Sequence, residues 1–249
     1  MDSLYKVRNV CCKVYFCVVF FITLLLFYLP VRLLTLRLST QRTAFKVQVM
    51  WSFVYRVLSF HHIRYMAKAV LPEGPAIIIA NHTSFLDIFL MYSLFPSRPF
   101  LFMGKAEILS YPFLKGLFKG YNIPVFRNNK VKAAKSFIQA RQRIEQGWSV
   151  VIFPEGGIPD SGWPEMLPFK EGAFVLAQRT GVPIIPVSFT NNYKLFSEPE
   201  SPFASAYPGF STVYIHPFIS SEQVKGMNIS ELSAHAFSVI QQPIIGYKS

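Results

Sequence analysis

The chain has 249 residues with 51% hydrophobic and 15% charged side chains, enough to bury a core of ordinary size with a segment to spare. Its formal net charge is +12, and residues 1–70 hold ten basic side chains against one acidic, so the excess sits in the most apolar part of the chain. Basic residues interleaved with Phe, Leu and Val favour an anionic lipid surface, and no zinc-ligand spacing or RNA-binding signature speaks for a metal or for nucleic acid.

In chain order, residues 14–31 form an uncharged run between Lys13 and Arg32, with Pro30 near its end. As a helix the run is about 27 Å long, slightly short of a ~30 Å hydrocarbon core. It is too long for a signal peptide and no small-residue cleavage site follows. Lys6, Arg8 and Lys13 flank one end and Arg32, Arg37, Arg42 and Lys46 the other, so charge asymmetry sets no orientation. Residues 44–60, charged only at Lys46 and Arg56, read as an interfacial helix. We expect residues 1–62 to form two membrane-anchoring helices seated in one leaflet, with a full span as the alternative. Cys11, Cys12 and Cys17 all lie there, which excludes a disulfide framework and a cysteine nucleophile from residues 63–249. His61-His62 has no evident metal partners and reads as an interfacial or surface pair.

Residues 63–70 alternate as a strand, and Leu71-Pro-Glu-Gly-Pro75 turns into Ala76-Ile-Ile-Ile-Ala-Asn-His-Thr-Ser-Phe-Leu-Asp87. The β-branched run 77–79 reads as a buried strand, and Ser84 as the N-cap of a following helix. Five residues along one helix turn about 500°, leaving side chains about 140° apart. His82 and Asp87 therefore meet only if His82 precedes the helix and Asp87 lies in its first turn. Two readings of Asp87 stand open, a Ser84-x-x-Asp87 capping box and the partner of a general base.

Strands follow at 99–103, 123–126, 149–153, 183–189 and 212–216. An amphipathic helix at 130–146 carries Val131, Ala134, Ile138, Arg141 and Ile144 along one side, capped by Asn128 or Asn129 and stopped by Gly147. Short helical pieces broken by Pro112, a helix at 171–180 ended by Gly181, and a last helix at 230–242 stopped by Pro243 complete the set. Residues 158–169 and 197–209 read as irregular loops. Repeated strand–helix units indicate an α/β domain over 63–249, with a largely parallel central sheet flanked by helices.

Polar groups gather at the C-terminal ends of three of these strands: Asn81-His82, Arg127 and Glu155. Ligands of open α/β sheets bind at that edge. A histidine beside a carboxylate suits proton transfer at neutral pH. Arg127 suits a bidentate grip on phosphate, or else a surface cation at a strand end. Glu155 in Phe153-Pro-Glu-Gly156 suits a site residue, or a brace for the backbone N–H groups of neighbouring turns.

Asn81-His82-x4-Asp87, Ile123-Pro-Val-Phe-Arg127, Phe153-Pro-Glu-Gly156 and Val182-Pro-Ile-Ile-Pro186 follow in one order. Over about residues 63–220 this resembles the lysophosphatidate acyltransferase family (1-acyl-glycerol-3-phosphate acyltransferases), and the preceding helices resemble its membrane anchor. The resemblance implies that His82 is the general base, Asp87 its orienting partner, and Arg127 a ligand of the acceptor phosphate. Glu155 and Gly156 would shape the site and Pro186 its wall. It implies direct transfer of a fatty acyl group from acyl-CoA or acyl-carrier protein to the free hydroxyl of lysophosphatidate, making phosphatidate, with no cofactor. The implied place is the cytoplasmic side of a membrane such as the bacterial inner membrane. The family's third block usually continues from Phe-Pro-Glu-Gly into Thr-Arg-Ser, where this chain has Gly157, Ile158 and Pro159. Lys105 and Lys170 are the candidates to restore the missing charge, without arginine's planar fork. The alternatives are another lysolipid acceptor such as an amino-acid-containing lipid, an inactive membrane scaffold, and a Ser84 hydrolase, for which a nucleophile elbow is absent.

Overall fold

Ile77–Ala80 is fully buried, a β-branched run too short for a helix, and it forms the middle strand of a seven-stranded sheet. The computed structural model describes residues 2–159, 164–198 and 201–246. In chain order its elements are α1 (Asp2–Leu34), α2 (Gln41–Leu58), β1 (His61–Lys68), β2 (Ile77–Ala80), α3 (Leu86–Leu94), β3 (Phe100–Lys105) and α4 (Pro112–Tyr121). They continue with β4 (Ile123–Val125), α5 (Lys130–Glu145), β5 (Ser149–Ile152), α6 (Gly172–Thr180), β6 (Ile184–Phe189), α7 (Asn192–Leu195), β7 (Gly209–Ile215), α8 (Ser221–Gly226) and α9 (Ile229–Gly246). Residues 160–163 and 199–200, in the two expected loops, lie outside the described residues.

The strand order is β1-β7-β6-β2-β5-β3-β4. Pairing is parallel except between β6 and β7, so the sheet is largely parallel and flanked by helices. The five strands β6, β2, β5, β3 and β4 end along one edge. From β2 the chain crosses to β3 through α3, and from β4 it returns to β5 through α5. Right-handed crossovers in opposite directions put α3 and α5 on opposite faces. α2 packs on α3, and α1 on α2 and α4, while α6, α8 and α9 gather on the side of α5.

The N-terminal helices share the domain's hydrophobic core. Val19, Leu24, Phe27 and Val31 of α1, and Ala44, Phe45, Trp51 and Tyr55 of α2, belong to the same buried cluster as the sheet. α1 is fastened at both ends. Near its start Asn9 donates to Phe203 O at 3.1 Å, and the buried Lys13 ammonium donates to Ser197 O and Glu198 O at 2.8 and 2.6 Å and to Ser201 O. Near its end, Gly116 and Gly120 let α4 approach, since a Cβ would sit 2.5 Å from Tyr28 Oη and 2.6 Å from Thr35.

Several sequence expectations are corrected. α1 extends well beyond the uncharged run 14–31 and contains Pro30. β1 begins at His61, and the alternation at 63–70 buries almost nothing, because β1 is an edge strand paired only with β7. His61 is fully buried rather than interfacial, its Nδ1 3.0 Å from Ser59 Oγ under the ring of Phe16. Pro112 opens α4 instead of breaking it, since a first-turn proline lacks only an N–H that would have no partner. On α5, Val131, Ala134, Ile138 and Arg141 face solvent, and Ser136, Ala140 and Ile144 are buried. Small side chains let the helix close on β4, where Ser136 Oγ donates to Pro124 O at 2.6 Å. α9 runs through Pro243, because Ile240 and Ile244, one turn apart and buried, hold it in place despite the missing N–H. The short α7 and α8 carry no periodic signal long enough to read in the sequence.

Lys13→Met keeps the apolar stem and strands the carbonyls that the ammonium holds. We expect a loss of about 1–3 kcal/mol in unfolding free energy, measured by chemical denaturation, with faster proteolysis in the 197–201 loop.

Candidate active site

The site begins where β2 leaves the sheet. Asn81, fully buried, donates to Phe189 O and accepts from Phe189 N, both at 2.8 Å. Its side chain thus continues the ladder to β6 after the backbone has turned away. The next residue, His82, lies over Phe153 with ring centroids 4.1 Å apart. Its Nδ1 is 2.9 Å from Asp87 Oδ2, with the histidine side chain 12% exposed and the aspartate fully buried. His82 precedes α3 and Asp87 is in its first turn, as the helical angle requires.

Asp87 is the partner of the histidine, and of the Ser84-x-x-Asp87 capping box only one half forms, the bond from Ser84 N to the Asp87 carboxylate. Oδ2 accepts from His82 Nδ1 and from the backbone N–H groups of Thr83 at 2.7 Å and Ser84 at 3.0 Å. The second oxygen accepts from Asn192 Nδ2 at 2.6 Å. Ser84 is not the N-cap: α3 starts one residue later, after Phe85. Ser84 Oγ instead accepts from Leu86 N at 3.1 Å and donates to Phe196 O at 2.5 Å. An ionised carboxylate only accepts, so Nδ1 of His82 carries its proton towards Asp87 and the Nε2 lone pair is left facing outward. That nitrogen has no protein partner among the described residues.

Glu155 lies at the end of β5, 3% exposed. Oε1 accepts from His82 N at 2.8 Å and Oε2 from Leu167 N at 2.7 Å, so it braces the turn that carries the histidine. Burial pushes its pKa from 4.5 up to about 7, Asp87 adds to the rise, and the two backbone N–H groups oppose it.

Gly156 follows with φ +85°, a conformation that favours glycine. Three cations converge on it and on Gly157. The position a Cβ would take at Gly156 is 2.7 Å from Lys170 Nζ and 2.9 Å from Arg127 Nη2, and at Gly157 it is 2.9 Å from Lys105 Nζ. Arg127 Nη2 donates to Gly156 O at 2.7 Å. All three side chains are exposed, and among the described residues none is ion-paired with a carboxylate. Desolvation lowers the Lys170 pKa, and Arg127 and Lys105 lower it further. A groove of about 310 Å³ opens beside Arg127, lined also by Phe126, Asn129 and Lys132.

The structure thus brings together all seven residues singled out in the sequence: His82, Asp87, Lys105, Arg127, Glu155, Gly156 and Lys170. Pro186, paired with Ile79 inside the sheet, is buried. Phe153 and Asn192 were missed. Phe153 reads as an ordinary strand residue, but Asn191-Asn192 after β6 carried the same signal as Asn81-His82, a polar pair at the C-terminal end of a strand. Among the described residues no group of three His, Cys, Asp or Glu side chains could hold a metal ion.

Glu155→Ala leaves two buried N–H groups unpaired, and we expect a loss of about 1–3 kcal/mol by urea denaturation. Glu155 titrates near 4.5 when unfolded and near 7 when folded. Its stabilisation relative to a non-titrating side chain is therefore full below about 4.5 and is lost as pH rises through about 7. Wild type should lose stability relative to Glu155→Gln over that window.

The family described as Acyltransferase matches residues 60–190. A 1-acyl-sn-glycerol-3-phosphate acyltransferase of Chlamydomonas reinhardtii is 31% identical over 58% of this chain and 42% of its own length. The Saccharomyces cerevisiae 1-acyl-sn-glycerol-3-phosphate acyltransferase is 34% identical over 54% of this chain and 45% of its own. The human beta enzyme of the same name is 27% identical over 66% and 60%. The chain therefore spans about half the length of these relatives. The crystal structure of PlsC, the 1-acyl-sn-glycerophosphate acyltransferase of Thermotoga maritima, superposes with a TM-score of 0.77, 21% identity and 98% coverage of both chains, and shows the same fold. With the family match extending over more than half of its residues, this chain belongs to the acyltransferase family.

Proposed function

We propose that the chain transfers a fatty acyl group from a thioester donor, acyl-CoA or acyl-carrier protein, to the free hydroxyl of lysophosphatidate, yielding phosphatidate. The observation that carries this reading is the linking, through Glu155 and Gly156, of the His82–Asp87 pair to three cations without carboxylate partners among the described residues, all on one sheet edge. His82 Nε2 takes the proton of the acceptor hydroxyl as its oxygen attacks the thioester carbonyl. The C–O bond forms, the C–S bond breaks, and the imidazolium, stabilised by Asp87, returns the proton to the departing thiolate. Arg127, Lys105 and Lys170 hold the acceptor phosphate, as three cations without carboxylate partners favour a dianion. Gly156 keeps that space open. Ser84 is 2% exposed with its hydroxyl engaged on both sides, which speaks against a serine hydrolase. An assembled base–carboxylate pair speaks against an inactive scaffold.

Residues 1–62 act as the membrane anchor in this reading, with the catalytic edge on the cytoplasmic side. α1 is long and apolar enough to cross a bilayer by length and composition. However, it is fastened to the domain near both ends, through Lys13 and through Thr35 beside Gly120. A helix that follows a water-facing domain along its length lies in one leaflet. Its outer side supports this with Val14, Val18, Phe21, Ile22, Leu25 and Leu29 exposed.

His82→Ala should lower turnover by ~10²–10⁴-fold and leave the fold intact by circular dichroism, while Asp87→Asn is milder because it keeps shape and part of the hydrogen bonding. Near-normal transfer by His82→Ala would falsify the mechanism. Arg127→Met and Lys170→Met should each lower kcat/KM for lysophosphatidate by about 1.5 kcal/mol, the low end for a charged hydrogen bond because both groups are exposed. The donor's KM should barely move. Unchanged kinetics in both variants, or a wild-type preference for a lysolipid without a phosphate monoester, sinks the acceptor assignment.

The anchor is tested separately. Cysteines placed singly at Lys6 and Leu38, with Cys11, Cys12 and Cys17 replaced, should both be labelled from the domain's side of sealed vesicles. Labelling of the two from opposite sides would show a span.

A further inference from the structure

We infer that Asn192 is a positioning residue for the His82–Asp87 pair, holding the second oxygen of Asp87 from the start of α7 so that the first stays aimed at His82. The inference rests on the acyl-transfer reading only for its kinetic test, because the geometry stands without it.

Asp87 is fully buried, and a carboxylate without water must take its donors from protein. Oδ2 has three, all from the turn 82–84, and Oδ1 has Asn192 Nδ2 at 2.6 Å. Asn192 is itself fully buried, and its side-chain hydrogen bonds run to Asp87 and Ser211. Its amide has one consistent orientation, since Asp87 can only accept and Ser211 Oγ donates to Asn192 Oδ1 at 2.5 Å. The neighbouring Asn191 ties the same segment to β7, accepting from Thr212 N at 2.8 Å and donating to Phe210 O at 2.8 Å. β7, the strand antiparallel to β6, thus supports the pair although it brings no group to the reaction.

Without Asn192, Oδ1 would be an unpaired anionic oxygen in a dry place. The side chain could then rotate to share donors, losing its line to His82, or the pair could hold a proton more tightly. Both lower kcat, and neither touches the binding of donor or acceptor. Proton binding by the pair has a definite sign. A donor withdrawn from a carboxylate disfavours the state with a net negative charge, so the pair keeps its proton to higher pH. Glu155, to whose rise Asp87 adds, is present in wild type and variant alike, so the comparison between them isolates the asparagine.

The test uses the full-length protein in lipid vesicles, with acyl-CoA and lysophosphatidate as substrates. Asn192→Leu, close in size and without a donor, should lower kcat by 10- to 100-fold and leave both KM values within twofold. The acidic limb of its pH–kcat profile should move to higher pH by at least half a unit. Ser211→Ala removes only the outer link and should move the limb the same way by less, with a kcat loss of a few-fold. Chemical denaturation of both variants identifies the folded ones. A purely structural asparagine lowers the amount of folded protein and leaves the limb where it is. If Asn192→Leu does not fold, Ser211→Ala decides. An unmoved limb in whichever folded variant is measured overturns the inference. An NMR titration of the His82 ring needs no substrate, and its midpoint should rise in the same variants. A raised midpoint in a protein that fails to acylate lysophosphatidate would refute the acyl-transfer reading and uphold the role of Asn192. An unchanged midpoint would refute the role of Asn192 alone.

Discussion

Asp87 has no contact with water, and an ionised carboxylate so placed persists only while donors surround it. Four reach it: the His82 ring, the Thr83 and Ser84 amides, and the Asn192 side chain. Much of the fold exists to bring those groups to one point. Asn81 ends β2 by pairing sideways with Phe189, so that the chain turns at His82. Glu155 holds the His82 amide from β5. Asn192 arrives from the end of β6 and is braced by Ser211 on β7. The orientation of the histidine, and with it the freedom of Nε2, follows from the needs of the carboxylate beneath it.

A second electrostatic fact balances the first. Lys105, Arg127 and Lys170 meet around Gly156 and Gly157 with no carboxylate partner among the described residues, although like charges repel and Lys170 is depressed by its neighbours. The nearest acid, Glu155, has both oxygens committed to backbone N–H groups. Such a cluster is relieved by an anion, and in the proposed reading that anion is the phosphate of the acceptor. Two lysines from β3 and from the segment before α6 bring positive charge to the block where the family's arginine is absent. They supply charge without a planar fork, which loosens the geometric demand on the bound group.

The long apolar helix belongs to the same physical account. Lys13, charged and inside an apolar stretch, is accommodated because α1 turns it inward onto backbone carbonyls of the 197–201 segment. That segment follows Phe196, whose carbonyl accepts from Ser84 Oγ. α1 and the turn that holds the His82–Asp87 pair are therefore joined through this one short segment. The helix has one side in the domain's core and an apolar side outward, and in the proposed reading lipid covers that second side.

The sequence by itself determined what depends on neighbours a few residues away. It showed the buried run 77–79, the helical angle that lets His82 meet Asp87 only from before the helix, a cap at Asn128 or Asn129 and the stop at Gly181. The alternation of strands and helices also placed His82, Arg127 and Glu155 on one sheet edge, because parallel strands all end there. Tertiary structure alone decided which side of α5 is buried, since Val131 and Ile138 look like a core face until small residues are needed against β4. It decided that His61 is buried and that Pro243 stays within a helix, as both depend on what packs from far along the chain. It also decided that Asn192 rather than water completes Asp87. Asn192 and Asp87 are 105 positions apart, and the polar pair Asn191-Asn192 marks a strand end without saying which distant group it meets. The pairing of β6 beside β2 brings the two together and Ser211 on β7 braces the asparagine, and which strands lie side by side follows from sheet packing, which no short stretch of sequence encodes.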